Sequence, residues 1–111
     1  MKIVQLNDIA GEAVSHDADI VKRVLLGELD LPGSVRLSHA LLSPGQKAAG
    51  HSHENICEVF YVLSGQGLMT VNAVDYPLRQ GSCLKIDKGE LHELGNTGEA
   101  DMAVIYFALN C

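Results

Sequence analysis

The chain has 111 residues and a mass of 11.9 kDa, enough for one globular domain and too little for two. Apolar residues make up 47% of the chain and charged residues 20%, a composition typical of folded proteins rather than disordered or fibrous ones. The formal charge is −6, from 14 acidic and 8 basic residues. A phosphate backbone would be repelled overall, so nucleic acid is not expected as a partner.

Membrane insertion and export are not expected either. The longest apolar run, from Met102 to Leu109, has 8 residues, whereas a membrane-spanning helix needs about 20. At the N-terminus, Asn7 and Asp8 interrupt the apolar residues before a signal-peptide core of about 7 to 15 residues could form. We therefore expect a cytoplasmic protein with no membrane partner.

The three cysteines are Cys57, Cys83 and Cys111. Their odd number and their spacing fit neither a metal cluster nor a disulfide framework, so we expect free thiols. Cys57 and Cys83 are expected to be buried as small apolar residues, although either could line a pocket.

Short apolar segments bounded by Gly, Asn, Asp, Ser and Pro recur along the chain and predict strands. The predicted strands are 20–26, 35–42, 58–63, 68–71, 83–86, 91–94 and 101–109. The first contains β-branched residues that favour a strand, although a short helix is also compatible with it. Short strands at this spacing indicate an all-β sandwich or barrel, here a barrel over 35–111 with residues 1–34 as a strand or arm packed on it.

Two of the predicted strands, 58–63 and 101–109, are apolar on both alternating faces. A sheet with one face in water should alternate between apolar and polar residues, so something covers the second face. We expect a second copy of the chain in a twofold homodimer. The alternative is that residues 1–34 fold back over the sheet.

His51 and His53 are separated by a single residue. At that spacing, side chains diverge on a helix but emerge on the same side of a strand, about 6 to 7 Å apart. The pair can therefore ligate one metal ion only if it lies on a strand. Glu58 follows His53 at an odd offset, so its carboxylate can point back at the pair only if a turn intervenes at 54–56, where Asn55 favours one.

The chain contains three further histidines, His16, His39 and His92. His92 opens a later predicted strand, and in a barrel such distant segments can become neighbours. His16 and His39 have no partner at ligand spacing and are interpreted as structural or surface residues, although His39 could reach the mouth of the barrel.

These spacings resemble those of the cupin superfamily, whose small β-barrels carry two sequence motifs. The first motif corresponds here to Gly45, His51, His53, Glu58 and Gly65, and the second to Gly81, Asp87, Gly89, His92 and Asn96. Asp87 stands where the family usually has Pro, and an Asp-Lys-Gly turn is an acceptable substitute. Together the two motifs span residues 45–96, about half of the chain.

The resemblance implies an all-β, single-domain jelly-roll (double-stranded β-helix) barrel with one divalent metal ion inside. By matching position, the ligands would be His51, His53, Glu58 and His92. Three imidazoles and a carboxylate suit a divalent transition metal. We favour Mn, Fe or Ni, with Zn, Co or Cu also possible.

A six-coordinate ion with four protein ligands leaves two positions for a small-molecule substrate, water or dioxygen. With the resemblance, this favours oxygenase or dioxygenase chemistry on a small organic molecule. A metal-dependent isomerase or lyase is an alternative that needs a protein base, for which Tyr61 or Tyr76 could serve only if it faced inward. A non-catalytic module that binds a metal or a sugar is the other alternative.

The wall of such a site is expected to be apolar, with Phe60, Val62 and Leu68 as the candidate residues. Arg36 and Arg79 are isolated in the sequence, so each is interpreted as a solvated residue rather than as an anchor for an anionic substrate.

Overall fold

The computed structural model describes residues 1–14, 17–31 and 33–111, and this part of the chain forms ten β-strands and a single 3₁₀ turn at Leu6–Asp8. The strands are β1 (Glu12–Val14), β2 (Asp17–Leu26), β3 (Ser34–Leu42), β4 (Lys47–His51), β5 (Ile56–Ser64), β6 (Gln66–Val71), β7 (Val74–Arg79), β8 (Cys83–Ile86), β9 (His92–Asn96) and β10 (Met102–Asn110). None of the described residues forms a helix long and apolar enough to cross a membrane.

The strands form two antiparallel sheets. One has six strands in the order β1, β2, β3, β10, β5, β8, and the other has four in the order β4, β9, β6, β7. The all-β jelly-roll prediction is confirmed. Since β1 and β2 are hydrogen-bonded to the edge of the larger sheet beside β3, residues from the first 34 extend that sheet.

Each of the seven predicted strands corresponds to an observed one, and 20–26 lies in β2. Sequence reasoning missed three strands, β1, β4 and β7. It extended the turn after residue 71 as far as 75, whereas the turn consists of Asn72 and Ala73, both with positive φ, at 48° and 68°. β7, which follows at once, is an edge strand containing Pro77, and edge strands tolerate proline because one row of their backbone groups needs no partner strand.

The core lies between the two sheets and draws on both. Its most buried large side chains are Ile20, Leu42, Met69, Met102, Val62 and Val104. The chain crosses from β5 to β6 at Gly65, where φ is +83° and a Cβ atom would lie 2.7 Å from the Asp101 carbonyl oxygen. Only glycine satisfies both constraints, so the connection between the two sheets requires glycine at this position.

The outward face of the six-stranded sheet is apolar and partly exposed. Tyr61 on β5 lies opposite Ile105 on β10, which in turn lies opposite His39 on β3. Tyr61 is 44% exposed and Leu41 38%. The N-terminal segment reaches the β2 side of this face, where Arg23 donates a hydrogen bond from Nε to the Ile9 carbonyl. His39 therefore lies outside the barrel and not at its mouth, and the prediction for His16 falls outside the described residues.

The expectation of three free thiols is wrong, because Cys57 and Cys111 form a disulfide. They are 54 residues apart in sequence, but the antiparallel pairing of β5 with β10 brings their Cα atoms to 6.0 Å. No local sequence signal reports such a juxtaposition. Cys83 is a free thiol, but it is exposed on β8, so it is neither buried nor part of a pocket. The free-thiol expectation rested on the odd number and the spacing of the cysteines, and neither reports which cysteines the fold brings together.

We predict that the unfolded protein, prepared without reductant, titrates one thiol with a chromogenic disulfide reagent and three after reduction. The paired substitutions Cys57→Ser and Cys111→Ser should lower the free energy of unfolding by about 2 to 4 kcal/mol, because the cross-link restricts the unfolded chain. Cys83→Ser is the matched control and should change it by less than about 0.5 kcal/mol. Three thiols before reduction would contradict the disulfide.

Candidate metal centre

Four side chains from three strand regions converge on the inner wall of the barrel. His51 ends β4, His53 follows just beyond that end, Glu58 lies in β5, and His92 opens β9. One ligand atom from each lies within 4.8 Å of those of the other three. The structure thus brings together all four residues of the sequence-predicted site.

The two sheets share this site. His51 and His92 are direct cross-strand partners of β4 and β9 in the smaller sheet, while Glu58 belongs to the larger sheet, opposite Ala108 and Ile86. The expected change of direction after His53 occurs at residues 54–55, and β5 begins at Ile56. The prediction that the histidine pair lies on a strand holds for His51 only, since the strand ends there.

The imidazole rings are oriented by backbone carbonyl groups. Nδ1 of His51 lies 3.1 Å from the Ala49 carbonyl oxygen, and Nδ1 of His92 lies 3.0 Å from that of Glu90. A carbonyl oxygen can only accept, so each Nδ1 carries the hydrogen and donates it. In the neutral imidazole, the lone pair is then on Nε2, which is the nitrogen that faces the cluster.

The donor atoms are spaced as a metal ion requires. Nε2 atoms of His51, His53 and His92 lie 3.8, 3.2 and 3.0 Å from the same carboxylate oxygen, Oε1 of Glu58. Metal bonds to nitrogen and oxygen of about 2.0 to 2.2 Å place neighbouring ligand atoms about 3 to 3.5 Å apart. The four residues therefore fit a divalent transition metal without a large rearrangement.

The cluster is strongly coupled electrostatically. Burial alone would raise the pKa of Glu58, but the hydrogen bond from His92 and the charges of the three imidazoles outweigh it and lower that pKa. For His92, burial opposes protonation, yet the hydrogen bond to Glu58 and the contact with the Glu90 backbone raise its pKa above the usual value. An anionic carboxylate among basic nitrogens attracts positive charge, whether a proton or a cation.

The cluster opens into a cavity of about 340 Å³ that extends through the barrel between the sheets. This volume is at the lower end of the range for small-molecule sites, about 300 to 1,000 Å³. Aliphatic side chains dominate its wall, and an aromatic pair flanks the cluster. Phe60 stacks on Tyr106 with centroids 5.4 Å apart and planes 15° apart, and it meets the His92 ring edge-on at 6.3 Å.

The prediction of the residues that form the cavity wall is correct in part. Phe60 lines the cavity, whereas Val62 and Leu68 do not, Val62 being enclosed in the core. Tyr61 and Tyr76 are 44% and 51% exposed and do not line the cavity, so neither can act as an internal base. The outward position of Tyr61 follows from strand alternation, which the sequence could have indicated once the inward direction of Glu58 was assumed.

Sequence reasoning missed five polar residues that line the cavity, the hydroxyl residues Ser38 and Tyr106 and the charged residues Lys22, Glu28 and Arg36. From the sequence, one could have predicted only that Arg36, Ser38 and Ala40 lie on the same face of a strand. Arg36 is therefore not simply a solvated residue. Lys22 Nζ and Arg36 Nη1 lie 3.7 and 3.5 Å from the same Glu12 carboxylate oxygen.

Asp87, which stands where the second motif usually has proline, uses the backbone hydrogen that a proline would lack. Its N–H donates to the Glu90 carboxylate at 2.8 Å, and the Glu90 N–H donates back to the Asp87 carbonyl at 3.2 Å. This reciprocal turn leads directly into His92. The departure from the motif is thus compatible with the position of the fourth ligand.

The model of the cupin domain family matches residues 38–108, and the chain belongs to this family. A curated relative from Thermotoga maritima, named oxalate-binding protein, is 30% identical over 105 residues, which are 90% of this chain and 87% of the relative.

Solved structures agree with the fold. A crystal structure described as a predicted oxalate decarboxylase from Thermotoga maritima matches with a TM-score of 0.92 and 25% identity, covering 99% of this chain and all of that one. The polyketide cyclase RemF from Streptomyces resistomycificus matches with a TM-score of 0.82 and 23% identity, covering 100% of this chain and 80% of that one.

Proposed function

We propose that this protein is a metal-dependent cupin enzyme in which His51, His53, Glu58 and His92 hold one divalent transition metal ion. The observation that carries the proposal is the convergence of three Nε2 atoms on a single carboxylate oxygen at the wall of a cavity. The backbone contacts of His51 and His92 preset the ligand nitrogens. Ligands oriented in this way lose little conformational freedom when the ion binds.

The proposed reaction is an oxygenase or dioxygenase reaction on a small organic molecule that offers carboxylate or enol oxygens. When bound, an ion such as Mn, Fe or Ni would supply redox or Lewis-acid chemistry at coordination positions that the protein leaves open. The chain contributes an apolar wall that excludes water, with Phe60 next to His92.

The identity of the other polar groups favours this reaction over isomerisation or elimination. Beside the four ligands, the titratable residues lining the cavity in the described part of the chain are Lys22, Glu28, Arg36 and Tyr106. Burial raises the pKa of Tyr106, so its hydroxyl is a donor and not a base at neutral pH. Glu28 and Arg36 also line a neighbouring surface pocket, and Lys22 is paired with the carboxylate of Glu12. An isomerase or lyase needs a base beside the substrate.

A second candidate is a binding module that holds a small dicarboxylate on the metal without turnover. The relative named oxalate-binding protein favours it. A binding module would use the same four ligands as an enzyme. The two candidates are therefore distinguished by measuring turnover.

We predict that purified protein binds one equivalent of Mn²⁺ per chain, and that Glu58→Gln and His92→Ala each reduce the metal affinity at least about 100-fold while the fold is retained. Each variant removes one of the four ligands. Mutation of a residue that only hydrogen-bonds to a ligand already lowers the metal affinity by about 10- to 100-fold in typical cases. Calorimetric titration measures the affinity and circular dichroism checks the fold. Thr70→Ala, on β6, changes a side chain that pairs with Asp75 instead, and it serves as the control with unchanged metal affinity.

Metal binding should weaken at least about tenfold between pH 8 and pH 5.5, because protonated imidazoles cannot ligate. The pKa of His92 is raised in the metal-free chain. As the pH falls, protons therefore begin to compete with the metal ion for this histidine above the usual histidine pKa of about 6.5. The pKa of Glu58 is lowered, so the carboxylate stays ionised through this range. An affinity that is independent of pH from 5 to 8 would contradict coordination by three histidines.

Turnover is tested by dioxygen uptake with the Mn²⁺- and Fe²⁺-loaded protein, across a panel of enols, diketones, thiols and oxalate. An oxygenase consumes dioxygen with at least one of these compounds, and His92→Ala abolishes the uptake. Calorimetric oxalate binding with neither dioxygen uptake nor release of carbon dioxide would instead assign the protein to the binding class.

We also propose that the apolar outward face of the six-stranded sheet is the interface of a twofold homodimer. Val21, Leu41 and Tyr61 are each about two-fifths exposed there, at 41%, 38% and 44%. They come from three different strands of one sheet, which makes the apolar area continuous across it. A self-complementary patch of this kind is the usual basis of a twofold assembly.

Sedimentation analysis should give about twice the chain mass for the wild type and the chain mass for the double variant Leu41→Glu, Tyr61→Glu, because burying unpaired charges opposes association. Tyr76→Glu is the control: Tyr76 is 51% exposed on β7 of the other sheet, and its variant should remain dimeric. A monomeric wild type at micromolar concentration would refute the interface.

A further inference from the structure

One buried hydroxyl on the cavity wall has no hydrogen-bond partner among the described residues. Ser38 is 1% exposed, and in the described part of the chain its Oγ atom makes no hydrogen bond. Yet Ser38 lines the central cavity. A buried polar atom without a partner is costly and uncommon in native proteins. A ligand that enters the cavity and forms a hydrogen bond with this hydroxyl would explain why it has no partner in the protein.

A second hydroxyl lies beside it. Ser38 on β3 is the direct cross-strand partner of Tyr106 on β10, and the Tyr106 hydroxyl interacts with that of Ser38 without the geometry of a hydrogen bond. Burial, together with the charge of Glu58, raises the pKa of Tyr106. Both groups are therefore protonated at neutral pH, and each can donate to or accept from a ligand oxygen.

An aromatic wall separates these hydroxyls from the metal centre. Tyr106 stacks on Phe60, and Phe60 in turn contacts the ring of His92. The cavity thus has a polar group at each end of a flat apolar surface. A molecule that contacts both ends must be apolar in its middle, and an aromatic or conjugated ring packs well against such an aromatic surface.

The charges nearby indicate that the group bound at Ser38 is neutral. Lys22 and Arg36, the cations that line the same cavity, share the carboxylate of Glu12, and a second carboxylate, that of Glu28, lines the cavity as well. These four charges sum to zero, so an anionic group would add an uncompensated charge, whereas a carbonyl or hydroxyl group needs only the two neutral hydroxyls. Burying an uncompensated charge beside them would be far more costly.

We propose that Ser38 and Tyr106 form a second polar subsite, which binds a carbonyl or hydroxyl oxygen on the end of a flat, ring-containing ligand remote from the metal. The assignment of the other end of the ligand to the His and Glu cluster rests on the proposed function, but the subsite itself does not. A two-carbon diacid such as oxalate could occupy the cluster but has no ring to pack against Phe60 and Tyr106. The subsite therefore selects a phenolic or cyclic ketone substrate over oxalate.

The test uses p-cresol and toluene, which differ by one hydroxyl group, as probes of the metal-free, full-length protein. Transfer of a phenolic hydroxyl into a purely apolar cavity is unfavourable, since its hydrogen bonds to water are lost. Wild-type protein compensates for this loss through Ser38 and Tyr106. The ratio of the p-cresol to the toluene association constant, measured by NMR titration, should fall about fivefold to tenfold in Ser38→Ala and in Tyr106→Phe.

Toluene binding checks that each variant retains the cavity, and Tyr76→Phe, which removes an exposed hydroxyl on β7, is the control with an unchanged ratio. An unchanged ratio in Ser38→Ala and Tyr106→Phe would overturn the subsite, as would failure of wild-type protein to bind either probe. The metal proposal is tested separately by the Mn²⁺ titration. If the protein binds no metal but the association-constant ratios fall as expected, the metal proposal is wrong and the subsite is supported. If the protein binds metal but the ratios are unchanged, only the subsite is wrong.

Discussion

The structure depends on the packing of two sheets closely enough for Glu58 of one to reach the histidines of the other. A carboxylate that is 7% exposed would be unfavourable in an apolar interior without partners. Here Nε2 atoms of three imidazoles lie 3.0 to 3.8 Å from one of its oxygens. The same arrangement that makes burial of Glu58 tolerable concentrates ligand atoms at one point. Stability of the barrel interior and competence for metal binding are therefore linked through this residue.

The surrounding elements hold the ligands in place. The cross-strand pairing of His51 with His92 fixes two of them in the smaller sheet, and their contacts with the carbonyl groups of Ala49 and Glu90 set the ring orientation. Gly65 allows the chain to pass from the larger sheet to the smaller one. The disulfide between Cys57 and Cys111 joins β5, next to Glu58, to the end of the chain. These constraints come from different parts of the chain, and they act on the strands that carry the four side chains or on strands paired with them.

The cavity divides into two chemically distinct ends along one aromatic wall. At one end are nitrogen and oxygen ligands suited to a cation, and at the other are the hydroxyls of Ser38 and Tyr106. Family membership predicts the first end, because it is carried by the cupin motifs. The second depends on which residues β3 and β10 place inward, which the motifs do not specify. Differences in substrate among barrels of one fold are expected to arise at positions of this second kind.

The sequence alone determined the fold class and the candidate ligands, because turn residues, strand alternation and the spacing of His51, His53, Glu58 and His92 are local or motif-encoded properties. It also indicated a doubly apolar sheet. The tertiary structure decided everything that depends on strand pairing. The pairing of β5 with β10 brought Cys57 to Cys111, and the pairing of β3 with β10 placed Ser38 beside Tyr106. The inward direction of Phe60 and Tyr106, and the outward direction of Tyr61, follow from the same register. The physical reason is that contacts between distant residues depend on register, which no single strand contains by itself.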